Sequence, residues 1–466
     1  MSSETILKKK IIKLFLIFSY IICWLSISTS ADDLLIIWGE STFNFKILVN
    51  FLRHASIYVS LFFLFLIIFF YKKIFFSKKN FIFLLFIVYL FFQLPGLFFS
   101  ENSIKNISYV VSSLTVVFII TLKDHFFLSK EKIIFIIISF ILLSVVFAVT
   151  FIPHFFGFLK GGDYFYGFLN QSPIFLDKVS PRSSGLARTS LILLLFLYVF
   201  EVNLFKKKIF FFTILKILLL TCILLLQSRT IIFLTVFSYF FIFLFEYKFS
   251  LKNISRFLFT FLIIPIIFML FLSYVNQYEQ YQDKKIQKSI MLNEPILSNE
   301  TMTKKFTEFM KYSNERNSPR KLRSLSPDTS SGRIEDWTGI LKNVSGKGFF
   351  FGYGSQGDRY LINQSASNGL IYAYSSSGIF GLIILISFST FVLFRSIIVM
   401  AYNYKSHKNF YIYSLIILVI LLRSILETSY TVFSIDFIIL ITLLGIISEN
   451  KINIREIKNK FLNDKS

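Results

Sequence analysis

Long apolar blocks alternate along this chain with short lysine-rich stretches. A helix rises about 1.5 Å per residue and a bilayer's hydrocarbon core is about 30 Å thick, so about 20 apolar residues suffice to cross it. That ruler predicts about twelve spans, with cores near 11–29, 55–71, 80–98, 107–122, 133–152, 186–204, 209–227, 230–246, 257–274, 369–399, 410–427 and 430–448. The pattern therefore predicts an all-α, polytopic membrane protein, divided into spans 1–9 (1–274), a large loop (275–368), and spans 10–12 with a tail (369–466). The first block follows Lys8, Lys9 and Lys10 and ends in Ser-Ile-Ser-Thr-Ser-Ala; it reads as a span, a cleavable signal peptide being the alternative.

The polar connections fix an orientation. If the N-terminus lies inside, the connections at 72–79, 123–132, 206–208, 248–256 and 405–408 and the tail from Lys451 all face the cytoplasm, and every one is lysine-rich. Basic loops stay cytoplasmic, so both termini are expected there. The connections at 99–106, 228–229 and 428–429 are short and carry little positive charge. The long stretches 153–185 and 275–368 fall outside and are basic, where the rule is weak and arginines can serve a ligand.

Composition agrees with lipid as the main solvent: 55% of the residues are hydrophobic and 63 of the 466 are Phe. The net charge of +23 would suggest nucleic acid for a soluble protein, but here the lysines cluster between spans, so nucleic acid is not expected as a partner. Cys23 and Cys222 lie in apolar blocks, and the four histidines have no zinc-like spacing, so neither a disulfide framework nor a metal site is predicted. Within 275–368, residues 278–312 are expected to be partly helical and 313–331 to be linker, with order returning at Gly332.

Four groups carry candidate chemistry. Arg229, in Gln227-Ser228-Arg229-Thr230 between two spans, is either a helix-end anchor or a guanidinium fork for phosphate. Arg182 and Arg188 flank Ser183-Ser184-Gly185 where a loop enters the sixth span; a helix N-terminus there favours anions, although Arg188 can equally be an intrahelical residue satisfied by a neighbouring carbonyl or carboxylate. Arg333, Glu335, Asp336 and Trp337, followed by glycine pairs at 346/348 and 352/354 and by Ser367-Asn368, combine a cation, two carboxylates, an aromatic platform and turns. That set suits a sugar phosphate, or is an ordinary folded loop. Arg423, Glu427 and Asp436 are ionisable residues near membrane depth, a functional pointer by default, with a neutralised Arg423–Glu427 pair at helical spacing favoured.

The order of these motifs resembles the O-antigen polymerase and ligase superfamily of bacterial inner-membrane proteins. The resemblance rests on Arg182-Ser-Ser-Gly leading into a span, Ser228-Arg229-Thr230 between spans, Arg333 with Trp337, and Ser367-Asn368 followed by Gly378 and Gly381. It covers roughly residues 80–450. In the family the last motif reads His-Asn; Ser367 stands at the His position, and a serine cannot act as a neutral-pH base as imidazole does. A polymerase is therefore favoured over a ligase. The resemblance implies metal-independent, cofactor-free glycosyl transfer from a glycan linked to undecaprenyl diphosphate, with membrane lipid around it and room for a chain-length regulator protein as partner. On that reading Arg182, Arg188, Arg229, Arg333, Trp337 and Asn368 bind pyrophosphate or glycan. Asp336 or Glu335 takes the acceptor proton, with Asp358 and His154 as further candidates. A ligase or a lipid-linked sugar transporter remain the alternatives.

Overall fold

A computed structural model describes residues 3–28, 43–70, 81–99, 103–159, 183–203, 209–225, 228–246, 333–362, 365–403 and 407–449, together with Ile267 and Leu270. These residues are all-α, with no strand among them. Eight helices form the first part: α1 (Ser3–Ser28), α2 (Phe43–Phe70), α3 (Phe81–Phe92), α4 (Ser103–Phe126), α5 (Ile133–Leu159), α6 (Ser183–Asn203), α7 (Ile209–Leu225) and α8 (Arg229–Glu246). Three short helices, α9 (Arg333–Asn343), α10 (Lys347–Phe351) and α11 (Gly357–Ile362), precede the long α12 (Gly369–Tyr402), α13 (Lys408–Arg423) and α14 (Ile435–Ile447). Each predicted span coincides with one of these helices, save 257–274, of which Ile267 and Leu270 alone are described; 160–182 and most of the large loop lie outside the described residues. By length and composition, helices at 7–27, 107–126 and 369–402 suffice to cross a bilayer, and shorter apolar helices accompany them.

The central helices are apolar all round, which soluble helices are not. In α14, Ile435 to Leu444 are buried on every side, and in α13 so are Tyr411 to Leu421. Around them α3, α4 and α12 pack, and aromatic rings join α3 to α12 and α14, with Phe86 4.9 Å from Phe388 and 5.2 Å from Phe437 between centroids. The outer faces of α1, α2, α7, α8 and α12 carry exposed residues such as Phe18, Phe62, Phe211, Phe233 and Phe391, the sign of a lipid-facing surface in a polytopic protein. Polar side chains inside the bundle are tied across helices: the Tyr20 hydroxyl lies 2.6 Å from both Ser139 and Thr442, joining α1, α5 and α14.

At the lysine-rich end, charges are paired. Lys13 reaches Glu131 at 2.6 Å, and this hydrogen bond holds the Glu131 carboxyl below the usual range. Lys132 sits between Glu449 at 2.5 Å and Asp124 at 3.2 Å.

The length of α12 governs the opposite end. Its 34 residues would extend about 51 Å if straight, against about 24 Å for the 16 residues of α13. Yet the two helices pack together, and the Gly369 N–H donates to the Ser424 carbonyl at 2.7 Å. The mismatch is absorbed at Gly378, which breaks the helix with φ 65° and ψ −165°.

Candidate functional site

The chain from Arg423 to Asp436 builds the centre of the site. Arg423 closes α13, and a tight turn follows, with the Leu426 N–H donating to the Arg423 carbonyl at 3.0 Å. Ser434 then caps α14 by accepting from the Phe437 N–H at 3.3 Å, which places Asp436 in the first turn, where a helix dipole favours a carboxylate. Asp436 is 0% exposed. Its Oδ2 accepts from Arg423 Nη1 and, at 2.6 Å, from Ser429 Oγ. Its Oδ1 faces Arg188 Nε of α6 at 3.4 Å without hydrogen-bond geometry.

The ion pairs continue outward. Arg423 Nη2 lies 3.9 Å from Glu427 Oε2, and the other Glu427 oxygen lies 3.6 Å from Arg333 Nη2 at the start of α9. Arg423 thus pairs first with Asp436 of the next helix and only loosely with Glu427, whereas sequence spacing pointed to Glu427. The Asp436 carboxylate comes closer because the turn before α14 folds back on α13, a tertiary contact that helical spacing does not register. Three arginines and two carboxylates make a network with a formal excess of one positive charge. The middle of the network is the most buried, with the Arg423 side chain 6% exposed, and its two ends are more open, at 19% for Arg188 and 27% for Arg333. The end guanidinium groups suit an anion, since a guanidinium keeps spare donors for bidentate contact.

The loop helices are fastened beside this network by backbone-directed bonds. Trp337 Nε1 donates to the Ala366 carbonyl at 2.6 Å. Asp358, 2% exposed, accepts from the N–H groups of Ala366 at 2.8 Å and Arg359 at 2.9 Å. Burial pushes its carboxyl above the ordinary range while these donors oppose the shift. Asn368 caps α12, its Oδ1 accepting from Leu370 and Ile371, and its Nδ2 donates to the Ile425 carbonyl at 2.8 Å. Ser367 precedes it with φ 48°.

The glycine-rich stretch docks against the break in α12. Gly378 leaves the carbonyls of Ser375 and Ser376 without their usual helical partners, and the N–H groups of Tyr353 and Gly354 donate to them at 2.8 and 2.9 Å. Two backbones approach so closely that a Cβ on Gly352 would sit 2.3 Å from Ser376 C, and one on Gly378 would sit 2.2 Å from Phe350 C. Beneath lies a buried polar patch in which Ser355 Oγ donates to Gln93 Oε1 at 2.8 Å and Tyr372 Oη accepts from the Gln356 N–H at 3.3 Å. Tyr89 and Asp358 border it. Gln93 also lies within hydrogen-bonding reach of Tyr89.

Of the residues singled out in sequence, the structure brings Arg188 and Arg333 into one network through Arg423, Glu427 and Asp436. Glu335 is exposed and Asp336 half-buried on α9, with Trp337 beside them. Arg229 stands exposed at the first position of α8, and among the described residues no ion pair links it to the network. Arg182 lies outside the described residues, as does the side chain of His154. Asn368 has its amide engaged in the cap and in the tie to Ile425. Sequence reasoning did not find Gln93, Tyr89 or Ser355, which are scattered polar residues with no motif around them. Among the described residues no three His, Cys, Asp or Glu side chains are grouped to hold a metal ion.

Residues 214–386 match a protein-family model described as O-antigen ligase. The match supports membership of the O-antigen polymerase and ligase superfamily. The matched stretch runs from α7 into α12 and includes Arg229, Arg333, Trp337, Asn368, Gly378 and Gly381. Arg188, Arg423, Glu427 and Asp436 lie beyond it, on α6, α13, the turn after α13, and α14. The match supports ligase- or polymerase-type glycosyl transfer in general, with lipid-linked glycan and a membrane setting as what that family implies. No curated protein and no solved structure gives a significant match.

Proposed function

We propose that this protein polymerises oligosaccharide repeat units carried on undecaprenyl diphosphate, at the external face of the bacterial inner membrane, with both termini in the cytoplasm. The observation that carries the reading is the joining of Arg188 and Arg333, far apart in sequence, by Asp436, Arg423 and Glu427. In the reaction the acceptor hydroxyl oxygen forms a bond to the donor's anomeric carbon, and the bond from that carbon to the diphosphate oxygen breaks. The lipid diphosphate leaves as an anion. Arg333 and Arg188 stabilise that developing charge, and they are already oriented before substrate arrives, which is where electrostatic catalysis gains most. Arg229 and Arg182 extend the anion surface. Asp336 or Glu335 accepts the hydroxyl proton, while Trp337 and Asn368 line the glycan side. The chemistry uses neither metal nor cofactor, and a chain-length regulator is a natural protein partner.

A ligase that moves the finished glycan to lipid A core or to protein is the second reading, favoured by the description of the matching family. Ser367 at the position of the family's His argues for the polymerase.

The test is the surface glycan ladder of cells lacking the protein, complemented with wild type, Arg188→Ala or Arg333→Ala at matched protein levels. Loss of the ladder with a single capped repeat unit remaining supports polymerisation. Loss of all attached glycan while long lipid-linked chains accumulate indicates the ligase. An unchanged ladder overturns both and moves a lipid-linked sugar transporter forward.

A further inference from the structure

Helix α10 holds three consecutive phenylalanines that the fold leaves uncovered. Phe349, Phe350 and Phe351 are 42%, 48% and 37% exposed, although the backbone next to them is packed against α12. Phe98, in the turn that follows α3, is 89% exposed, and that turn packs on α10. A patch of this kind on a segment held in place signals a contact surface rather than an accident of composition.

The patch is continuous with the lipid-facing surface. Phe380 of α12 stacks on Phe350 at 5.9 Å and lies 6.2 Å from Phe351, and Phe92 at the end of α3 meets the same ring at 5.8 Å. From there exposed side chains continue down α12 as Ile383 and Phe391. Residues 379–402 give about 36 Å of helix below the break, enough to cross the hydrocarbon core alone, so Phe380 sits at its upper boundary. Lys347, exposed at the start of α10, supplies a cation at the level of headgroups. The backbone meets the requirement that a membrane imposes on irregular segments: the N–H groups of Tyr353 and Gly354 are taken up by Ser375 and Ser376.

We infer that α10 is an interfacial element of the external loop, seated in the outer leaflet with Phe349, Phe350 and Phe351 against acyl chains. The loop is then anchored to the bilayer as well as to the helical bundle, and its glycine-rich stretch is held at headgroup height. A short apolar helix lying at the boundary between headgroups and chains has this geometry.

The test places a nitroxide label on full-length protein in lipid nanodiscs and compares relaxation by oxygen, which partitions into chains, with relaxation by a water-soluble nickel chelate. Cys23 and Cys222 are both buried, so wild type serves as the background control. Phe350→Cys and, independently, Phe349→Cys carry the label; Phe391→Cys on α12 is the lipid reference and Lys342→Cys on α9 the aqueous one. The expected result is oxygen relaxation exceeding chelate relaxation several-fold at both test positions, as at Phe391→Cys. Labels that behave as at Lys342→Cys overturn the inference. Labels shielded from both reagents overturn it too, because protein then covers the patch. The readout is independent of glycan transfer, so it stands or falls apart from the proposed activity.

Discussion

Arg188 of α6 and Asp436 of α14 face each other at 3.4 Å, although sequence places them in different halves of the chain and the carboxylate is wholly buried. The pair sets the geometry of everything outward of it. Asp436 also holds Arg423, so one carboxylate orients two guanidinium groups whose mutual repulsion would otherwise open the site.

Asp436→Asn removes the shared anion and leaves two adjacent cations, Arg423 buried and Arg188 half-buried. Breaking a buried pair in this way costs about 3–5 kcal/mol. The melting temperature of the purified protein is expected to fall sharply, and Arg423→Gln in the same chain to restore part of it. A double-variant loss equal to the sum of the Asp436→Asn and Arg423→Gln losses would show that the two groups are not coupled.

Gly378→Ala and Gly381→Ala separate backbone necessity from crowding. Gly378 has φ 65° and its added Cβ meets the Phe350 backbone, which cannot move without undocking the loop. Backbone at φ 65° and ψ −165° is essentially restricted to glycine and costs an L-residue about 1–3 kcal/mol. Gly381 is helical, so its cost is crowding alone: an added Cβ meets Ser377 Oγ at 2.0 Å and Ser377 Cβ at 2.2 Å, and a Cβ cannot rotate away. Thermal unfolding should show both variants destabilised, the first more because backbone strain adds to its crowding.

Trp337→Phe keeps a ring on α9 and removes the donor to the Ala366 carbonyl. The lost hydrogen bond predicts about 1 kcal/mol of destabilisation. If Trp337 serves the glycan as an aromatic face, ladder length is retained in Trp337→Phe and shortened in Trp337→Ala at equal protein level.

Much of this fold is legible in the apolar blocks, because a bilayer leaves helices as almost the only way to satisfy the backbone. Arg188 stands out as a cation at the start of an apolar run, and Arg333 as one beside two carboxylates and Trp337 in the polar loop. Their connection does not, because Asp436 reaches Arg423 through a turn whose path is set by Ser429 and Ser434 rather than by helical spacing. Gly378 and Gly381 are visible as a spaced pair, but only coordinates separate the one that breaks a helix from the one that does not. Gln93 meets Ser355 across the bundle, a contact with no local signature.

At the lysine-rich end, burial and the Asp124 carboxyl push Glu449 up to about 7, against the pull of Lys132. The folded value lies above the unfolded one, near 4.5, so protonation of Glu449 favours the fold. Its contribution is complete below the unfolded value and lost as pH rises through about 7. Melting temperatures measured from pH 5 to 8 should decline across that window, and Glu449→Gln should flatten the decline.

The docking of Tyr353 and Gly354 onto Ser375 and Ser376 has a consequence for chimaeras. The upper part of α12 has its backbone completed by a segment made earlier in synthesis, so the glycine-rich stretch and the span after it are one unit of assembly. Exchanging loops between related proteins at the apparent membrane boundary near residue 369 would separate a broken helix from the strip that completes it. A graft that carries residues 346–381 together keeps both halves of the joint.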